Sequence, residues 1–213
     1  MKKKSIALLL AVVMLFGATV GATIAWLQDS TSTVTNTFTT GDIEITLEET
    51  WNKDTNNDNE ADAWEAKLVP GTKQLKDPYV TVVAESEKCW VFVKVEEANN
   101  TVLSDGKKTV QYEVNVGTGA TQWTPVPGTT NIYYYNTPMD YSTTDSDPLY
   151  VFAGEPGYTN GVVTINSNLT KDIMNPATGT YTTPTISITA YAVQYAGFED
   201  NAPAAWTASG YGA

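Results

Sequence analysis

The chain has no histidine, no arginine and a single cysteine, Cys89, in 213 residues. Without His, a zincin-type site is excluded, because it needs two imidazoles at helical i, i+4 spacing with a Glu as base. One Cys cannot replace those ligands. A Ser-His or Cys-His pair for nucleophilic catalysis is excluded as well, and Lys is the only amine left to activate a hydroxyl. A lone thiol rules out an intramolecular disulfide, so the domain must be held by its core. Cys89 sits in the apolar run Cys89-Trp90-Val91-Phe92-Val93 and is expected to be a buried small hydrophobe. Positive charge is also scarce: twelve lysines face 24 carboxylates. Such a surface repels phosphate backbones and anionic headgroups, which argues against nucleic-acid partners and direct membrane-surface binding. Helical periodicity is nearly missing too, limited to short stretches at Leu169 to Met174, behind a possible Asn168 cap, and Ala202 to Trp206.

What is present begins with a leader. Lys2, Lys3 and Lys4 form a positive n-region, Ile6 to Phe16 an apolar h-region, and Gly17, Ala18, Gly21, Ala22 and Ala25 a small-residue region. This is the grammar of a secretory signal peptide, residues 1–25, with cleavage expected after Ala25 and Ala22 as the next candidate. The alternative is an uncleaved anchor, but the apolar run is shorter than the ~20 residues a spanning helix needs. Residues 26–213 are then expected to form one secreted domain, with nine lysines against 24 carboxylates. Copies this acidic repel one another until divalent cations or a drop in pH neutralise them. The last residues carry no LPxTG-type sorting signal or apolar tail, so retention at a cell surface is expected to come from non-covalent assembly or another protein.

Period-two alternation runs through the remainder. Ile43, Ile45 and Leu47 alternate with Glu44, Thr46 and Glu48, the pattern of a half-buried strand. Further strands are expected over Tyr79 to Val83, Cys89 to Val95, Val110 to Val116, Ile132 to Tyr135, Leu149 to Phe152, Val162 to Ile165 and Thr185 to Tyr195. Turn signals separate them, among them Pro70-Gly71, Asp105-Gly106, Pro127-Gly128, Pro156-Gly157 and Asn160-Gly161. The fold class is therefore all-β, a jelly-roll-like antiparallel β-sandwich with at most one or two short helices. Ser30 to Thr40 is Thr- and Ser-rich, with only Val34 and Phe38 as apolar anchors.

The motif with the clearest chemistry is Asp54-Thr55-Asn56-Asn57-Asp58-Asn59-Glu60-Ala61-Asp62-Ala63-Trp64-Glu65. On a twelve-position calcium loop, Asp54, Asn56 and Asp58 fall at positions 1, 3 and 5, and Glu60 offers its carbonyl at 7. Asp62 falls at 9, and Glu65 takes the bidentate place at 12. Asn59 stands where Gly usually makes the turn, and Asn tolerates a left-handed conformation better than most residues. Flanking helices are missing, and a solvated acidic loop between strands is the competing reading. Tyr133-Tyr134-Tyr135, Tyr141, Tyr150 and Trp123 form an aromatic-rich middle, either core and cross-strand pairs or a stacking platform for glycan. The adjacent carboxylates Glu48/Glu49 and Glu96/Glu97 point to opposite faces of a strand, which prevents shared acid/base work. A glycosidase built from carboxylates distant in sequence is left open, and no catalytic residues are assigned.

Several segments, in order, resemble the TasA/camelysin family of exported proteins, whose leaders are processed by a SipW-type signal peptidase. They are Ala22-Thr23-Ile24-Ala25-Trp26-Leu27-Gln28-Asp29-Ser30, Phe38-Thr39-Thr40-Gly41-Asp42-Ile43-Glu44-Ile45 and Leu68-Val69-Pro70-Gly71 leading to Lys76-Asp77-Pro78-Tyr79-Val80-Thr81-Val82. Cys89 to Val95, Gly161 to Thr170 and Ile188 to Tyr195 complete the series. The resemblance spans the chain, although each motif is short. It implies a jelly-roll sandwich, export, and assembly into biofilm-matrix fibres in which the freed N-terminal segment, residues 26–40, adds a strand to the next subunit. Strand addition suits an extended polar segment, because main-chain hydrogen bonds carry the affinity. A flexible tail or an ordinary first strand is the competing reading of that segment. The expected partners are other copies of the chain, the signal peptidase, and an accessory matrix protein or polysaccharide. A monomeric, calcium-stabilised surface module that binds glycan or cell wall is the alternative. Part of that family is labelled metalloprotease, an activity the missing His excludes here.

Overall fold

The computed structural model describes residues 42–50, 67–140, 143–176 and 179–211. Gly41–Ala213 forms one compact unit. Ten strands and two short helices lie among the described residues, so the protein is mainly antiparallel β. The leader at 1–25 and the segment 26–40 lie outside the described residues.

The longest ladder pairs β4 (Cys89–Ala98) with β10 (Thr185–Gln194), from Cys89 opposite Gln194 to Ala98 opposite Thr185. On its other side β4 pairs with β7 (Ile132–Tyr135), which pairs with β6 (Trp123–Pro125). A second sheet joins β1 (Ile45–Glu48), β3 (Tyr79–Val82) and β8 (Leu149–Tyr150) in that order. A third has the order β2 (Lys73–Leu75), β9 (Val162–Ile165), β5 (Val110–Gln111). All these ladders are antiparallel.

β4 is apolar without alternation over its first five residues because both of its faces are covered. Cys89, Val91, Val93 and Val95 point into the main core, which draws Val80, Leu149, Val163 and Ile165 from the other two sheets. Trp90 and Phe92 point the opposite way and pack with Ala202, Ala205 and Trp206 of α2 (Ala202–Ser209). Burying each such side chain stabilises the fold by roughly 1.5–3 kcal/mol. The N-cap of α2 is Asn201, whose side chain accepts from the Ala204 amide, and Gly210 ends the helix in the left-handed region at φ 75°. The other helix, α1, is Lys171–Met174, capped by Thr170 accepting from Ile173 N rather than by Asn168.

Cys89 is fully buried. Its amide and carbonyl exchange hydrogen bonds of 2.9 and 2.8 Å with Met139. Burial pushes its thiol up to about 11, which keeps it protonated and unreactive. Two strands were not evident from sequence pattern: β2 is short and half polar, and β6 contains Pro125. The expected strand Val110 to Val116 forms a ladder only at Val110–Gln111, with two further isolated bridges, from Val114 to Phe152 and from Val116 to Trp123.

Candidate functional site

Each proposed calcium ligand, Asp54, Asn56, Asp58, Glu60, Asp62 and Glu65, lies outside the described residues. The chain on either side of that segment is described. At one end, Glu49 Oε1 pairs with Lys76 Nζ at 2.5 Å, and both side chains are largely buried. Asp77, 2% exposed, accepts from Thr50 N at 3.2 Å and Thr50 Oγ1 at 2.5 Å. At the other end, Gln74 Nε2 donates to the Lys67 carbonyl at 2.7 Å. Both ends are thus gripped by one short stretch, Gln74 to Asp77. That stretch is seated against β9: Lys76 N donates to the Gly161 carbonyl, and a Cβ at Gly161 would collide with the Lys76 carbonyl oxygen. Fixed ends remove part of the closure entropy a loop must lose to curl around a cation. Among the described residues, no group of three or more Cys, Asp or Glu is placed to hold a metal.

The aromatic middle divides between the two cores. Trp123 is fully buried and donates from Nε1 to the Tyr150 carbonyl at 2.8 Å. Tyr135 packs edge-on against it at 5.2 Å. Tyr134 faces the other way, against Trp90 at 6.2 Å. Tyr150 meets Tyr79 edge-on at 5.5 Å. These residues are mainly core and cross-strand pairs, and Tyr141 lies outside the described residues. The paired carboxylates are split as alternation requires. Glu96 bonds Lys94, whereas Glu97 bonds Lys108 and Asn100. Glu48 accepts from Tyr79 Oη, whereas Glu49 holds Lys76.

The feature without an internal explanation is the outer edge of β10. The strand ends its sheet, so on its far side it has no ladder partner among the described residues. Its sequence, Thr-Ile-Ser-Ile-Thr-Ala-Tyr-Ala-Val-Gln, carries no charge and no Pro over ten residues. Ile186, Ile188, Ala190 and Ala192 reach the main core but remain only half-buried. Tyr191 and Val193 pack under α2, with Tyr191 5.3 Å from Trp206. β1 ends its own sheet and lies next to β10, so the two sheets finish on the same flank.

Natural sheets guard exposed edges with charge, Pro, bulges or brevity, and the other edges here obey that rule. β2 has Lys73, β6 has Pro125, β5 and β8 are two residues long, and β1 ends in Glu48. In a chain with 24 carboxylates, ten uncharged residues on an unguarded edge make a ready template for one more strand. The signal is visible in the sequence as a charge gap, but its position at an edge emerges only from the sheet order. Among the described residues, no helix is long and apolar enough to cross a membrane. Comparison with family models, curated proteins and solved structures finds no match to the chain.

Proposed function

We propose that this chain is an exported structural subunit of an extracellular or biofilm matrix, built into fibres when residues 26–40 of one copy add as a strand to the edge of β10 in the next. The unguarded, uncharged edge of β10 carries the reading. The donor's composition supports it: Ser30 to Thr40 is uncharged and rich in Thr, and as a strand it places Val34 and Phe38 on one face. The leader supports export, and the ordered TasA/camelysin-like motifs support the family reading and processing by a SipW-type peptidase. In this reading the three sheets make up a jelly-roll-like antiparallel β-sandwich. Calcium at Asp54, Asn56, Asp58, Glu60, Asp62 and Glu65 screens repulsion between acidic copies and stiffens a loop whose ends are already held. No catalytic step is assigned.

The test is negative-stain microscopy of protein beginning at Trp26 beside protein beginning at Gly41, each with and without millimolar calcium. Fibres from the longer form alone are expected. Equal assembly by both forms, or single particles from both, overturns strand donation through 26–40. The calcium part has its own test: Glu65→Gln, by removing the bidentate ligand, is expected to weaken calcium binding at least about tenfold in calorimetric titration. Unchanged affinity would show that the loop does not bind calcium in this register.

A further inference from the structure

A cleft of about 800 Å³ opens on a part of the surface that β1 and β10 do not line, so its role is independent of the assembly reading. Its lining includes Asn115, Tyr135, Asp147, Tyr150, Phe152 and Glu155. Tyr135 is 7% exposed, yet its hydroxyl has no hydrogen-bond partner among the described residues, although it borders the cleft. That hydroxyl is not sealed in the core but opens onto the cleft, where it is free to donate to whatever occupies it. Asp147 stands near it with an exposed carboxylate, also without a bonded partner among the described residues. Burial first, and the Asp147 charge second, raise the Tyr135 phenol above its ordinary value, so its proton stays available to donate.

The chemistry of the lining narrows the ligand. No lysine borders the cleft, so nothing there neutralises an anion. Glu155 is already paired with Lys73, which leaves Asp147 as the unpaired carboxylate, and one exposed carboxylate holds a cation only weakly. A donor and an acceptor side by side over an aromatic floor match a group that both donates and accepts on a ring with apolar C–H faces. We infer that this cleft is a binding site for neutral, hydroxyl-rich saccharide, with Tyr135 Oη donating to a sugar hydroxyl, Asp147 accepting from one, and the Tyr150 ring supporting a sugar face.

The test is calorimetric titration of the whole chain with neutral tetrasaccharides of gluco, N-acetylgluco, galacto and manno type, with spermine as a cationic control. At least one tetrasaccharide is expected to bind with a Kd below about 1 mM, and Tyr135→Phe to weaken it about five- to tenfold, the worth of one hydrogen bond. Tyr135→Phe removes a hydroxyl without an internal partner, so its thermal melting is expected to match the parent. Asp147→Asn keeps an acceptor and removes the charge, and is expected to retain binding within about threefold. No binding by any tetrasaccharide at about 10 mM, equal binding by Tyr135→Phe, or binding of spermine alone that Asp147→Asn abolishes, each overturns the assignment.

Discussion

Replacing Ile188 by lysine is expected to abolish fibre assembly while leaving a folded monomer. Ile188 pairs with Val95 in the ladder and lies half-buried on the main-core face of an edge strand. In the free subunit the lysine stem lies along that face and its ammonium reaches water at the open flank. The cost to folding is then about 1–3 kcal/mol. An added strand would close the flank over the ammonium, and a buried unpaired charge costs far more than the ladder returns. An inward-pointing charge on an edge strand is the guard this strand lacks. Electron microscopy would read assembly and circular dichroism the fold. Ser187→Lys serves as the control, because Ser187 is exposed on the opposite face and a charge there stays in water. Normal fibres from Ile188→Lys would move the assembly surface away from β10.

The second large effect concerns α2. Trp206, 4% exposed, packs at 5.2 Å on Phe92 and at 5.3 Å on Tyr191, so it joins the helix to β4 and β10 at once. Trp206→Ala is expected to lower the unfolding free energy by about 3–5 kcal/mol, measured by urea denaturation. The loss combines the buried indole surface with a void that Trp90, Phe92 and Val126 border. A loss below about 1 kcal/mol would show that α2 does not contribute to the cooperative fold. Because α2 covers the outer face of the same two strands whose edge is proposed to accept a neighbour, this variant also separates monomer stability from assembly.

How far the sequence could be read depended on how local each signal was. β10 was legible from its alternation and β4 from its unbroken run of β-branched and aromatic residues, and both extended close to their expected bounds. β6 was not, because Pro125 argues against a strand and only its place at the end of a sheet makes Pro tolerable. The Val110 to Val116 stretch alternates well, yet beyond Gln111 it meets its neighbours only through single bridges, at Val114 to Phe152 and at Val116 to Trp123. Whether a neighbouring strand runs alongside leaves no periodic trace in the stretch itself. Of the sites, the aromatic run was visible as composition, but its division between two cores follows from strand direction. The acidic motif was the clearest reading of the sequence, whereas the grip of Gln74 to Asp77 on its two ends links residues far apart in the chain and could not be read locally.

The length of β10 also constrains what a fibre of this protein would be mechanically. Ten residues at about 3.3 Å each give an edge roughly 33 Å long. A donor of fifteen residues that fills it keeps about five as a tether, which reach at most about 17 Å. Neighbouring bodies are then held nearly in contact, with little slack to pivot. A polymer joined in this way bends as a rod with a long persistence length rather than as beads on a string, and it transmits tension through a sheared ladder, in which many hydrogen bonds must fail together.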